Sequence, residues 1–200
     1  MSFTYKYRDF AEALYAALAD DPFYITLEKT VTVCDPKEGM LKYLEYSMVE
    51  ASFFGKLYVP EDHRHGVSVW SKPLEDPLEG EKGRLKKSFI KEYMGEKSLE
   101  TYNSIVEFMS ARSDELVRAD AWYLSIVGVL PEFQRQGLGI GLVESVLSEI
   151  DSIKLPTYLE TFTPRNMSFY KRLGYSEAGS FIEPVTGATY WVMIREAVEQ

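Results

Sequence analysis

Apolar and polar positions follow two different rhythms along the first fifty residues. Phe3, Tyr5 and Tyr7 alternate with polar residues, and this period of two predicts a half-buried first strand. Apolar side chains then recur at helical spacing within 10–18, and a second helical pattern runs through 40–49. We therefore expect the chain to begin with one strand and two helices.

The next seventy residues are more polar and their pattern is weaker. Two short apolar runs at 57–59 and 67–69 flank the polar segment P-E-D-H-R-H-G, which predicts a hairpin. A short helix is expected near 85–93, within a polar stretch. Ser98 is a candidate N-cap for one further helix.

The pattern is clearer from residue 122 onward. A nearly continuous apolar run is typical of a central strand that is covered on both faces. Strands are predicted at 122–129, 157–161, 175–182 and 189–194. One amphipathic helix separates the first two strands, and a second begins at Thr163. The order strand, helix, strand, helix, strand, strand predicts a mixed sheet with helices on both faces.

Length and charge restrict the function. The chain has 200 residues, which is the size of one domain. It carries 22 Lys and Arg against 31 Asp and Glu, a net charge of -9. This balance argues against nonspecific nucleic-acid binding, because that needs many cations to neutralise phosphates. It permits a cationic substrate, although an acidic surface also serves solubility alone.

The cysteine count and the lack of long apolar runs indicate the compartment. Cys34 is the only cysteine, so an internal disulfide and a cysteine-based zinc site are excluded. The chain has no apolar run of about 18 residues that could span a membrane. It also has no apolar signal core at its start. We expect a cytoplasmic protein, and the sequence leaves monomer and homodimer open.

The first chemical motif is a glycine-rich segment between a predicted buried strand and a helix. Its residues are Gln134, Arg135, Gln136, Gly137, Leu138, Gly139 and Ile140. Glycines let the backbone approach a ligand, and the free N–H groups at a helix start favour an anion such as a pyrophosphate. The alternative is a tight turn without a ligand. The spacing matches neither a P-loop nor a good dinucleotide fingerprint.

The second motif is the string N-M-S-F-Y-K-R-L-G-Y at 166–175. Phe169 and Leu173 are four residues apart and share one helix stripe, while Asn166 and Tyr170 share the adjacent one. The apolar stripe can pack on the sheet while the polar stripe faces a cleft. The alternative is that Tyr170 is a tyrosine at the boundary of the core.

The two motifs, separated by one strand, resemble the GNAT superfamily of acyl-CoA-dependent N-acetyltransferases. Within it, the chain is similar to the puromycin N-acetyltransferase-like group. The matching strings are A-W-Y-L-S-I-V-G-V-L-P-E-F-Q, Y-L-E-T-F-T-P-R-N and F-Y-K-R-L-G-Y, with a weaker match at G-K-L-Y-V and G-V-S-V-W-S-K-P. The resemblance is dense over 121–195 and faint before it. One departure is Arg135-Gln136, where relatives often have Gly-Lys.

The resemblance implies an α/β (α+β) GNAT fold spanning 1–200 as one domain. It has a central mixed, mostly antiparallel twisted sheet with a splayed parallel pair and helices on both faces. Residues 1–120 would then supply mainly acceptor-side elements, and 121–200 the acetyl-CoA-binding core. The pantetheine arm would pair with backbone near Val127 and Val129, in the gap between the splayed strands.

The resemblance also implies site residues. The loop from Gln134 to Ile140 would hold the pyrophosphate of acetyl-CoA, with Asn166 and Tyr170 on the cofactor side. Tyr170 is the position that usually protonates the leaving thiolate. Relatives of the group carry a glutamate in the same L-E-T context as Glu160, which is therefore expected to be the general base or the anchor of a cationic amine. The alternatives are an exposed residue at a strand end for Glu160, and the less well placed Asp120 as the base.

No metal is expected. The candidate ligands are His63, His65, Glu61 and Asp62, and a hairpin turn rarely holds four ligands in the geometry that a metal needs. Cys34 has no evident basic neighbour, so an acyl-cysteine route is not expected.

The sequence thus predicts an enzyme that moves acetyl from acetyl-CoA to a primary amine of a small molecule by direct attack. The alternatives are acetylation of a protein N-terminus or lysine, and a non-catalytic module that binds acyl-CoA as a sensor. No nucleic-acid or membrane partner is expected. The sequence names neither the acceptor nor its relation to puromycin.

Overall fold

A computed structural model describes residues 6–61 and 65–198 of the chain. The helices are α1 (Arg8–Ala17), α2 (Pro22–Glu28), α3 (Pro36–Phe54), α4 (Leu78–Tyr93), α5 (Glu96–Leu116), α6 (Gly139–Ser152) and α7 (Met167–Arg172). The strands are β1 (Gly55–Tyr58), β2 (Gly66–Ser71), β3 (Trp122–Val129), β4 (Thr157–Thr161), β5 (Ser176–Ile182) and β6 (Thr189–Arg195).

Strands from both halves of the chain form one six-stranded sheet in the order β1-β2-β3-β4-β6-β5. Only the β3–β4 pair is parallel, and the other neighbours are antiparallel. One face of the sheet carries a core cluster shared with α1, α3 and α4. The other face carries a second cluster shared with α6 and α7. The structure therefore confirms the predicted mixed, mostly antiparallel sheet with helices on both faces.

Helices α2 and α3 begin at acidic caps followed by proline. The side chain of Asp21 accepts a hydrogen bond from the Phe23 N–H at 2.9 Å, and Asp35 accepts one from the Glu38 N–H at 3.1 Å. Each is followed by a proline at the first helical position, where the missing N–H costs nothing. The segment Asp20-Asp21-Pro22 can mark either the end of one helix or the start of the next. The sequence analysis used it only as an end, so α2 was not predicted.

Two predictions for the first half, the first strand and the Ser98 cap, are not confirmed. Phe3 and Tyr5, the start of the predicted first strand, lie outside the described residues. Tyr7 directly precedes α1 and donates its N–H to Glu45 at 3.1 Å instead of lying in a strand. Ser98 is not an N-cap, because α5 begins two residues earlier. Its hydroxyl donates to the Met94 carbonyl at 3.2 Å inside the first turn.

The second half follows its pattern closely. The five apolar positions predicted to face inward from α6 are all buried, at 142, 143, 146, 147 and 150. Strand β4 has the predicted bounds, and the last two strands form the predicted antiparallel pair. The helix expected from Thr163 begins as a 3-10 turn at 164–166 and continues as α7.

Strands β3 and β4 separate soon after they meet. They pair only at Trp122–Thr157 and Tyr123–Tyr158, although β3 continues to Val129 and β4 to Thr161. Beyond these two pairs, β3 is bonded to β2 alone and β4 to β6 alone. The predicted splay is therefore present, and it opens a gap in the middle of the sheet.

A bulge in β3 lies at the start of this gap. Val69 pairs with Ile126 and Trp70 with Leu124, so Ser125 is an extra residue, and its hydroxyl donates to the Val69 carbonyl at 3.0 Å. An extra residue reverses the alternation of side chains along a strand. Leu124 and Ile126 therefore belong to the core clusters on opposite faces of the sheet.

An ion pair between Asp151 and Arg195 joins α6 to β6. The guanidinium donates to both carboxylate oxygens at 2.7 Å and, through Nε, to the Leu173 carbonyl at 3.0 Å. The two side chains are only 12% and 9% exposed. Hydrogen bonds from Arg195 lower the pKa of the Asp151 carboxyl below its ordinary value.

We expect Asp151→Asn to lower the free energy of unfolding by about 3–5 kcal/mol at pH 7, because the Arg195 charge stays buried without its counter-ion. Since the pKa of Asp151 is lower in the folded state, this stabilisation is present above the unfolded-state pKa of aspartate. It is lost as pH falls through the lower folded-state value. Chemical denaturation of wild type and variant between pH 7 and pH 3 measures both effects.

The matched control is Glu149→Gln. Glu149 lies on the same helix as Asp151, and it forms an exposed ion pair with Lys56 of β1. That variant is expected to lose less than about 1 kcal/mol. Equal losses for the two variants would contradict a special role of the buried pair.

Candidate active site

A cavity of about 710 Å³ lies where β3 and β4 diverge. Its lining comes from both halves of the chain, since it includes residues of α2, α3, α4 and α5 as well as of the two splayed strands. Four residues proposed from the sequence line it together, namely Val127, Glu160, Asn166 and Tyr170. The structure thus brings the proposed catalytic pair and part of the proposed cofactor site around one space.

The glycine-rich loop lies apart from that lining, between the end of β3 and the start of α6. Its backbone is unusual, because Arg135 and Gly137 have φ of 63° and 79°. The N-cap position of α6, Leu138, provides no side-chain cap. Free N–H groups at the start of a 14-residue helix fit a bound anion such as a pyrophosphate.

Side chains of the loop brace it against neighbouring backbone. The amide of Gln134 donates to the Val129 carbonyl at 3.1 Å, and that of Gln136 donates to the Glu132 carbonyl at 3.2 Å. Both side chains are therefore used within the loop. The Gln134 backbone N–H is also used, because it donates to the Pro131 carbonyl at 3.3 Å, so at these two residues an anion contact falls to the Gln136 backbone N–H. The brace accounts for Gln136, whereas Arg135 takes a left-handed φ of 63° that glycine adopts more easily.

Glu160 extends from β4 into the cavity. Its Oε1 accepts a hydrogen bond from the Ser113 hydroxyl of α5 at 2.7 Å, and the Tyr123 phenol is close enough to stabilise the charged carboxylate. Burial raises the pKa of Glu160 above its ordinary value, while Ser113 and Tyr123 partly oppose this rise. A carboxylate with a raised pKa is a stronger base and is well suited to bind an ammonium or to take its proton.

Tyr170 and Asn166 also line the cavity, and both come from the segment that follows β4. Tyr170 on α7 is 8% exposed, while Asn166 ends the preceding 3-10 turn and is exposed. Burial, and secondarily the charge of Asp21, raise the pKa of the Tyr170 phenol. The hydroxyl therefore keeps its proton at neutral pH and is a hydrogen-bond donor. Leu173 is buried in the core cluster, as the stripe pattern predicts.

Asp21 and Ser113 are among the polar residues of the cavity that were not predicted from the sequence. Asp21 lines it, and burial raises the pKa of its carboxyl despite hydrogen bonds from Phe23, Tyr24 and Thr163. Ser113 also lines it, and holds Glu160. The Asp-Pro pair was a usable signal for Asp21 as a helix cap. No local signal marks Ser113, because its partner is 47 residues away.

The remaining candidates lie elsewhere. Asp120 forms an ion pair with Arg118 at 2.7 Å. His63 and Asp62 lie outside the described residues. Within the described ranges, no group of three His, Cys, Asp or Glu residues is arranged to hold a metal ion. None of the helices in those ranges has both the length and the hydropathy needed to cross a membrane.

A family model described as the acetyltransferase (GNAT) domain matches residues 97–177. The match begins in α5 and ends in β5, so it includes the splayed strands, the glycine-rich loop and α7. These are the elements that carry both sequence motifs.

Solved acetyltransferase structures resemble the whole chain. A histone acetyltransferase and related acetyltransferase from Corynebacterium glutamicum is 17% identical, with a TM-score of 0.62 over 100% of this chain and 95% of that chain. Arylalkylamine N-acetyltransferase 2 from Aedes aegypti is 14% identical, with a TM-score of 0.62 over 99% and 98%. A polyamine N-acetyltransferase from Drosophila melanogaster, which forms N-acetylagmatine, is 16% identical, with a TM-score of 0.56 over 94% and 96%. These similarities establish the fold.

We expect Glu160→Gln to raise the thermal midpoint at pH 8. Because the pKa of Glu160 is raised in the folded state, ionisation of this carboxyl above its unfolded-state pKa destabilises the fold. Glutamine removes the charge and keeps an oxygen for Ser113. The gain should shrink as pH is lowered towards 4, where the wild-type carboxyl is also neutral. Scanning calorimetry at several pH values measures it.

Glu177→Gln is the control, since Glu177 lies on an exposed part of β5. A Glu160→Gln variant that is less stable than wild type at pH 8 would show that the carboxylate is structural.

Proposed function

We propose, from the premise that this chain carries a GNAT acetyltransferase domain and is an acyltransferase, that it transfers acetyl from acetyl-CoA to a primary amine of a small molecule. Two similar structures support a small amine, because one is an arylalkylamine and the other a polyamine N-acetyltransferase. Membership of the puromycin N-acetyltransferase-like group remains a prediction from the sequence strings.

One observation carries the proposal, namely that a single cavity reaches both the diverging strands and the N-terminal helices. Val127 and Tyr170, which are proposed to contact the cofactor, line the same space as Glu160 and Asp21. Donor and acceptor can therefore meet without an enzyme-bound intermediate. Cys34 contacts the Tyr93 carbonyl at 3.3 Å on the α3–α4 side, which favours direct attack over an acyl-cysteine.

The residues present fit acetyl-CoA. The N–H groups of the loop from Gln134 to Ile140 would hold the pyrophosphate, and the strand edge of β3 beyond Tyr123 is free of β4 and could pair with the pantetheine amides at Val127 and Val129. Asn166 and Tyr170 would border the same arm. When bound, the cofactor supplies an acetyl thioester, whose carbonyl carbon is the electrophile.

Glu160 is assigned to the acceptor amine. At neutral pH most primary amines are protonated, and only the neutral amine attacks a carbonyl carbon. A carboxylate with a raised pKa, held by Ser113 and Tyr123, can bind the ammonium and take its proton. Asp21 is the second carboxylate in position for the same task.

Tyr170 is assigned to the leaving sulfur. Its phenol remains protonated at neutral pH, and it lies on the strand side of the cavity. A hydrogen-bond donor there stabilises the charge that develops on sulfur and can deliver a proton to it.

Release of free thiol from acetyl-CoA tests the function directly. The panel contains small primary amines and a peptide with a free N-terminus and a lysine. Release that depends on a small amine supports the proposal. Release only with the peptide favours protein acetylation, and stabilisation by acetyl-CoA without release under any condition favours a binding module.

Acetyl-CoA is expected to raise the thermal midpoint, with about 2.7 kcal/mol of stabilisation at a hundredfold excess over Kd. Gly137→Val should abolish this shift, because a β-branched residue does not tolerate the φ of 79° that shapes the loop. Gly187→Val is the matched control, since Gly187 has φ of 67° in the β5–β6 turn and open space around it. A wild-type protein without a shift at millimolar acetyl-CoA would contradict the cofactor assignment.

Tyr170→Phe is expected to lower kcat by about 10²-fold or more, provided that thiolate departure is at least partly rate-limiting. The Kd of acetyl-CoA should change little, because the ring remains. Steady-state kinetics from pH 6 to pH 9 give the test.

Glu160→Gln provides the contrast. If Glu160 is the base, its loss should hurt less as pH rises, since more of the amine is already neutral, and Tyr170→Phe should show no such relief. If the activity loss of Asp21→Asn, and not that of Glu160→Gln, becomes smaller as pH rises, Asp21 is the base. Near wild-type turnover of Tyr170→Phe across this range would rule out its role as the acid.

A further inference from the structure

Six aromatic side chains line the acceptor side of the cavity. They are Phe23, Tyr24, Tyr43, Tyr102, Tyr123 and Tyr158. The first four form a ring cluster whose centroids lie 5.1–6.4 Å apart, mostly edge to face. The last two form a ring pair, stacked at 4.8 Å with 26° between their planes. These rings come from α2, α3, α5, β3 and β4, so only the folded chain assembles them.

The tyrosines of this wall are uncharged at neutral pH. Burial is the main reason that the pKa of each of the five phenols is raised. A neutral aromatic wall stabilises an apolar or aromatic guest by removing its surface from water and by edge or offset ring contacts.

The ring pair is adjacent to the proposed base. Tyr158 and Glu160 lie on the same strand, Tyr123 pairs with Tyr158 across the two strands, and after burial the Glu160 charge is the next cause that raises the pKa of both phenols. An acceptor whose amine is bound by Glu160 therefore has the rest of its atoms beside aromatic rings.

The α4 side of the cavity already contains its own cations. Nζ of the buried Lys86 lies 3.3 Å from Oε2 of Glu50, and it donates to the Ser47 hydroxyl at 3.1 Å. One turn earlier, Nζ of Lys82 lies 3.4 Å from Oε1 of Glu79. Both carboxylates on this side therefore have a lysine partner.

Two further lysines reinforce this charge. The exposed Lys72 and Lys87 also line the cavity, so its α3–α4 part holds four lysines and two glutamates, while Glu107 and Asp114 line it from α5. A second ammonium placed beside α4 would meet more lysines than glutamates, and like charges repel, with water weakening the share of the exposed Lys72 and Lys87.

One ring of the cluster already has a cation of the protein over its face. Tyrosine faces attract cations, but the Lys86 ammonium already lies 4.9 Å from the centroid of the Tyr43 ring. The protein itself thus supplies the cation for this ring.

From these contacts, and resting on the proposed function, we infer that the acceptor is an arylalkylamine, in which a short aliphatic arm joins one primary amine to an uncharged aromatic ring. The amine is bound at Glu160 and the ring lies between the ring pair and the ring cluster. Diamines and polyamines are poor acceptors because their second cation faces the lysines of α4.

The test compares kcat/KM at saturating acetyl-CoA for 2-phenylethylamine, n-butylamine, putrescine and agmatine. We expect 2-phenylethylamine to exceed each of the others by about tenfold or more, as aromatic contacts beyond simple burial permit. A higher value for putrescine or agmatine overturns the inference and leaves the proposed function standing. Thiol release with none of the four amines counts against both.

Variants at Tyr102 locate the preference. Tyr102→Leu removes a ring of the cluster and should lower kcat/KM for 2-phenylethylamine about tenfold, mainly through KM, with little change for n-butylamine. Tyr102→Phe keeps the ring and should keep the preference. An unchanged midpoint shift with acetyl-CoA shows that each variant is folded. Equal losses for both amines in Tyr102→Leu would overturn the assignment of the ring.

The charge argument has its own variant. Lys82→Gln removes one cation from a partly exposed position of α4. It should raise kcat/KM for agmatine relative to that for 2-phenylethylamine, with a larger effect at low salt. An unchanged ratio at low salt would overturn the role assigned to the lysines.

Discussion

The separation of β3 from β4 after only two residue pairs is the constraint on which the remaining structure depends. Parallel strands normally continue their hydrogen bonds along the whole overlap, and here β3 extends six residues beyond its last partner on β4. The bulge at Ser125 lies where the separation begins and places Leu124 and Ile126, two residues apart, on opposite faces. A free strand edge in the centre of a sheet is costly in a dry core. It is useful where a ligand supplies the missing hydrogen bonds.

The gap also determines what the N-terminal half has to do. Helices α2, α3, α4 and α5 close one side of the opening, and their inner surfaces become the wall of the cavity. A wall of this kind must be largely apolar to stabilise the domain, and tyrosines meet that need while keeping a hydroxyl for polar contacts. Some of the charges that remain inside it are compensated locally, as by the contact between Lys86 and Glu50.

Burial around the gap sets the chemistry of its titratable groups. The pKa values of Glu160 and Asp21 are both raised mainly because their carboxylates lose water, and the pKa of Tyr170 is raised for the same reason. The result is one space that holds bases of increased strength beside a phenol that keeps its proton. Proton transfer from an amine and towards a departing thiolate needs both kinds of group.

Local patterns in the sequence determined much of the second half. The period of α6, the bounds of β4 and the order of the last elements depend on neighbours within one or two turns or along one strand, so periodicity reports them. The motifs at 134–140 and 166–175 are likewise recognised from residues only a few positions apart in the chain. The first half was less legible, because Asp21-Pro22 serves a helix end and a helix start within the same few residues.

Tertiary structure decided which side chains meet. Ser113 and Glu160 are 47 residues apart, and Lys86 and Glu50 are 36 apart, so no local period records either contact. The six rings of the acceptor wall are ordinary apolar positions of five separate elements until the fold brings them together. The sequence by itself thus determined the elements of the second half and the two motifs of the proposed cofactor side. The acceptor side was decided only by packing, because its chemistry depends on contacts between residues far apart in the chain.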